Sequence, residues 1–146
     1  MTDEEEKPRT ELDLALVAAK EAPKDSDGQA NFFYDTFLNT DFYMPVLLEG
    51  AANGSWKALT PADRFQPLFL AFPNGKAIPL FDTLERLQTW ADERTLDYLV
   101  LAGHITVKIM GGNVALILNP GTPWNYTMMP EILEKVQNAM KQVRPN

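Results

Sequence analysis

His104 is the one imidazole in this chain, and there is no cysteine. A lone histidine serves as a general base only beside a group that orients it, and no such partner is implied by its local spacing. His104 therefore reads as a satisfied or half-exposed side chain behind the Gly103 break. Without cysteine there are no disulfides, thiolate zinc sites or cysteine nucleophiles. The acidic run Asp3 to Glu6 lacks the oxygen-ligand spacing of a calcium loop. Asp92 and Glu93 are neighbours on an expected helix and point apart. Gly111-Gly112-Asn113 precedes an expected strand, whereas a phosphate cradle precedes a helix. The residue inventory predicts a non-enzymatic chain with no metal site and no cofactor.

What remains is suited to binding. The loop Asn119-Pro120-Gly121-Thr122-Pro123-Trp124-Asn125-Tyr126 is both polar and aromatic. In one reading Trp124 and Tyr126 wall a groove, with Asn119 and Asn125 offering fixed hydrogen bonds to a peptide or small molecule. The chain would then be a small-molecule sensor or an enzyme using residues 119–126. The structural alternative has Asn119 satisfying turn amides, Gly121 at positive φ and Trp124 covering the edge of the core. A second candidate is the crowd Phe32, Phe33, Tyr34, Phe37, Phe42 and Tyr43, more than one helix face can hide. Tyr43 and Pro45 belong to a strand that proline should confine to an edge or mark with a bulge. An exposed edge strand can pair with a peptide or a second copy of the chain. A protein partner or a homo-oligomer is the expectation from that patch.

Composition bounds these readings. At 146 residues, with 45% hydrophobic and 23% charged side chains, the chain is one ordinary globular domain. The net charge is −7, and residues 1–65 hold 13 acidic against 6 basic side chains, which is the whole imbalance. Such a field repels a phosphate backbone, so nucleic acid is not an expected partner. No apolar run approaches membrane-spanning length and the N-terminus is acidic, so the expectation is a cytoplasmic protein with no membrane attachment.

The elements that must position these residues are legible in outline. Residues 1–9 read as a disordered acidic arm. A helix should start near Thr10 and end before Pro23, and a second should cover about 30–39. Phe42 to Leu48 reads as a strand, and residues 49–63 as loop. Leu68 to Phe72 and Lys76 to Phe81 flank Pro73-Asn74-Gly75, a strong hairpin signal. Asp82 with Glu85 three residues on has capping-box spacing for a helix burying Leu84, Leu87, Trp90 and Ala91. Asp97 to Ala102 is a further strand. His104 to Met110 fits either a strand, by its β-branched residues, or a connecting helix. Val114 to Leu118 is an unbroken apolar run, as expected of a strand buried on both faces. A last helix begins at Pro130 and turns Ile132, Leu133, Val136, Ala139 and Met140 inward. The fold class is α/β, with α+β character: a mixed β-sheet with a central hairpin, covered by amphipathic helices, in a single domain.

Three stretches together resemble a known family. Phe42-Tyr43-Met44-Pro45-Val46, Phe69 to Phe81 with the Leu84…Leu87…Trp90 helix, and Ala115-Leu116-Ile117-Leu118-Asn119-Pro120-Gly121 occur in the order found in the N-terminal domain of the SseB family. These are bacterial proteins named for an enhanced-serine-sensitivity phenotype. The resemblance implies an SseB-like N-terminal-type α/β domain over residues 10–146. It also implies a helix at Gly103 to Met110, although Ile105, Thr106, Val107 and Ile109 replace the usual leucines and alanines. It carries no catalytic residues to transfer.

Overall fold

A computed structural model describes residues 8–21, 27–48, 54–60, 63–72, 75–92, 94–109 and 114–143. The elements are α1 (Glu11–Glu21), α2 (Asp27–Leu38), β1 (Asp41–Leu48), β2 (Phe65–Pro67), β3 (Leu70–Phe72) and β4 (Gly75–Leu80). They continue with α3 (Leu84–Ala91), β5 (Asp97–Ala102), α4 (Gly103–Ile109), β6 (Val114–Leu118), β7 (Tyr126–Met128) and α5 (Pro130–Val143). No helix among the described residues is long and apolar enough to cross a membrane.

The apolar run 114–118 is buried at Ala115, Leu116 and Leu118 and half-buried at Val114 and Ile117, with β6 inside a sheet of order β3-β4-β6-β7. It pairs parallel with β4 and antiparallel with β7, and β3 closes the expected hairpin onto β4 with Phe72 opposite Gly75. A second, antiparallel sheet has the order β2-β1-β5. The single mixed sheet expected from the pattern is thus two sheets that share a seam. At that seam the Tyr43 amide donates to the Phe81 carbonyl at 2.7 Å, and the Phe81 amide donates back at 3.1 Å.

Side-chain alternation divides these strands into two faces. Phe42, Met44 and Val46 of β1, Ile78 and Leu80 of β4, and Leu116 and Leu118 of β6 share one core with helix residues. The helices supply Leu12 and Leu16 from α1, Phe33 and Phe37 from α2, Val107 from α4, and Leu133 and Val136 from α5. Each large apolar side chain so buried contributes about 1.5–3 kcal/mol. On the opposite face Ala77, Phe81 and Ala115 are buried, as are Leu87 and Ala91 of α3. The Phe81 and Trp90 rings meet there with centroids 5.4 Å apart.

Several expectations change in detail. Pro45 does not put β1 on an edge, because β1 is the inner strand of its sheet. The missing N–H falls at a gap: beside Pro45 the neighbour of β1 changes from Phe81 to β2, and Leu68 N donates to the Pro45 carbonyl at 3.1 Å. One ladder bond is forgone there, which is how an inner strand tolerates the residue. The cap of α3 is Thr83, whose side chain accepts from Arg86 N, and Asp82 has another task. Residues Gly103–Ile109 form the helix that the resemblance implied, not the alternative strand. The strand β2, and β7 beyond Tyr126, fall in stretches to which the sequence pattern assigns no element.

Gly103 explains the tight entry to α4. Its amide donates to Thr40 O at 2.8 Å, and a Cβ built there would stand 2.0 Å from Phe37 O. Only glycine allows that approach. Helix α2 begins at Asp27, three residues before the expected start. Residues 1–7 of the expected arm 1–9, the Pro23 boundary, the turn residues Pro73 and Asn74, Glu93 and the Gly111-Gly112-Asn113 break lie outside the described residues, as do the side chains of Ala139 and Met140; Arg9, within that arm, donates its amide to Asp13 Oδ2 at 2.9 Å.

Candidate functional site

Asn119 ends β6 in the left-handed region, with φ 48°, and is fully buried. Its amide donates to Leu80 O at 2.7 Å, and its Oδ1 accepts from Asp82 N at 3.1 Å. It therefore ties together the exits of the parallel strands β4 and β6. The turn that follows is closed by Thr122, whose hydroxyl donates to Asn119 O at 2.8 Å and accepts from Trp124 N at 3.1 Å. The exposed Asn125 donates its amide to Thr122 O at 2.7 Å, within the same turn. Gly121 takes φ +83°, and a Cβ there would stand 3.5 Å from Trp90. Trp124 and Tyr126 both pack against the core. Two buried donors in this loop, Asn119 Nδ2 and Trp124 Nε1, have no hydrogen-bond partner among the described residues.

Tyr126 turns toward α2. Its ring meets Phe33 edge-on at 5.0 Å, and its hydroxyl lies 3.0 Å from that of Tyr34. Burial, reinforced by the bond to Tyr126, holds the Tyr34 phenol well above the usual tyrosine range. The aromatic crowd is thereby resolved. Phe33, Phe37 and Phe42 are core, Tyr34 joins the loop, and Phe32 is 54% exposed.

Tyr43 and Pro45 lie elsewhere, on the outer face of the sheet β2-β1-β5. The register sets Tyr43 opposite Val100, Pro45 opposite Tyr98 and Leu47 opposite Gln66, and strand alternation puts all six on one side. The Tyr43 and Tyr98 rings stand 5.5 Å apart. Pro45 is buried, whereas Leu47 and Val100 are 44% and 42% exposed. None of the six is charged. The structure thus separates the five residues expected to bind: Asn119, Trp124 and Tyr126 serve one loop, and Tyr43 and Pro45 an outer face.

Sequence reading missed a buried ionic cluster. Asp13 completes a capping box with Thr10 at the start of α1, and its carboxylate also receives both terminal nitrogens of Arg86. Arg86 Nη1 reaches Asp82 Oδ1 at 2.9 Å, and the Thr10 hydroxyl donates to Asp82 Oδ2 at 2.6 Å. The first turns of α1 and α3 are therefore joined by charge. Burial pushes the Asp13 carboxyl up, but Arg86 and the Arg9 and Thr10 amides outweigh it and hold it below the ordinary aspartate value. Asp97 behaves alike: burial raises it, and the Ser55 and Lys57 amides more than offset this. The available signal was Asp13 inside the apolar stripe of α1, where a charge needs a partner.

His104 sits in the first turn of α4, and its buried Nδ1 has no hydrogen-bond partner among the described residues. Among the described residues, no three His, Asp or Glu side chains are placed to hold a metal ion. A family model described as the SseB protein N-terminal domain matches residues 12–135. The chain belongs to that family. No curated protein and no solved structure matches it.

Proposed function

We propose that this SseB-family domain works by binding, without catalysis, and that its contact surface is the outer face of the sheet β2-β1-β5. The observation that carries this reading is the run Tyr43, Pro45, Leu47, Tyr98 and Val100, apolar across two strands and open at both Leu47 and Val100. In a chain with 23% charged residues, an uncharged sheet face with exposed aliphatic side chains marks a contact site. The occupant is a protein partner or a second copy of the chain. The net charge of −7 argues against nucleic acid. The family assignment favours a bacterial setting, and the cytoplasm is part of this proposal. Light scattering after gel filtration, paired with affinity capture from lysate, tests the proposal: a strict monomer that captures nothing contradicts it.

A second reading has one specific support. Among the described residues, the buried donors Asn119 Nδ2 and Trp124 Nε1 find no partner, each at a cost of about 1–3 kcal/mol. A small ligand with acceptor oxygens at the 119–126 loop would satisfy them. That reading predicts ligand-dependent thermal stabilisation that disappears in Trp124→Phe.

A further inference from the structure

Resting on the contact surface proposed above, we infer that its occupant is a single amphipathic helix of a partner protein, lying along the strands of the β2-β1-β5 face. Three observations narrow the occupant to this class. First, strand addition at β5 is blocked at Tyr98. Ala58 already bridges Tyr98 on that edge, with Leu59 N donating to Tyr98 O at 2.8 Å and Tyr98 N to Lys57 O at 3.0 Å. A partner must approach β5 from the face.

Second, the face is small. Three strands about 4.8 Å apart and six residues at about 3.3 Å each give a footprint of roughly 14 by 20 Å, or about 300 Å². A globular occupant, a second copy included, needs about 800 Å² from each side, more than twice this. A helix about 10 Å across, with three to four turns over about 20 Å, fits the footprint. Third, charge begins where the face ends: Asp41, Lys57 and Arg64 are all exposed around it. An apolar stripe with polar flanks of both signs matches that arrangement. The chain covers its other sheet face in the same way, with the apolar sides of α1 and α2.

The test is site-specific photo-crosslinking of the full chain in its native host, from Val100→p-benzoylphenylalanine and Leu47→p-benzoylphenylalanine, with adducts mapped by mass spectrometry. Val100 lies opposite Tyr43, four residues from Leu47 along β1, so the two probes stand about 13 Å apart. On a docked helix their adducts should fall about 7–11 residues apart on one stripe of one partner. Adducts about four residues apart would mean an extended segment. That result overturns the helix and leaves the contact surface standing, as would adducts to this chain's own sequence, which mean a second copy. No adduct from either position, with both variants folded, overturns the contact surface as well.

Discussion

At the scale of single residues, the chain spends its buried charge on holding helices in place. Arg86 holds Asp13 and Asp82 at once, so removing it leaves two buried carboxylates without their cation. Arg86→Ala should cost about 3–5 kcal/mol in urea denaturation. A loss under 1 kcal/mol would mean that the cluster is not structural. The two depressed aspartates also set a pH dependence. Their folded-state values lie below the unfolded ones, so their contribution is complete above the ordinary aspartate pKa of about 4. It is lost as pH falls through the depressed values. Stability should therefore fall steeply with acid below about pH 4, and Asp97→Asn should flatten that slope when melting is followed against pH. Trp124→Ala should lower stability by about 3 kcal/mol, because the indole packs against the core. These roles were only partly legible. Asn119 and Gly121 announced a turn in sequence, and Gly121 does take positive φ. Asp82 was read as a helix cap, because spacing alone does not show that Arg86 and Thr10 both seek its carboxylate.

At the scale of elements, local pattern was a good guide where the chain's own neighbours decide the outcome. The hairpin β3–β4, the buried strand β6 and the helices α3 and α5 follow from turn residues and periodicity. It failed where a distant segment decides. Pro45 has the mark of an edge residue, but the change of neighbour from Phe81 to β2 cannot be read from β1 itself. Helix α4 has β-branched residues suited to a strand, and packing against α2 and α5 overrides that preference. The contrast between two glycines tests this picture. Gly103→Ala sets a methyl 2.0 Å from the Phe37 carbonyl and should prevent α4 from docking, read as loss of cooperative unfolding. Gly121→Ala meets no such clash and carries only a positive-φ penalty of about 1 kcal/mol. Equal effects would mean that the approach of Gly103 to α2 is not what fixes α4.

At the scale of the whole molecule, one sheet region is sheathed and another is open. Helix α3 lies on the outer side at Phe81, and the neighbouring face of β1 and β5 carries uncharged side chains that reach solvent. Sequence patterning identified Tyr43 as a surplus aromatic but could not show which face of which sheet it occupies. That required the pairing of β1 with β5. The most direct measurement compares the double variant Leu47→Asp, Val100→Asp with Ile109→Asp, a control at an exposed aliphatic on α4. Unfolding free energy and partner capture are measured together for each. The double variant should stay within about 2 kcal/mol of the parent in stability, about 1 for each substitution, and lose capture, while the control keeps both. Capture that survives two charges on the face would contradict the account.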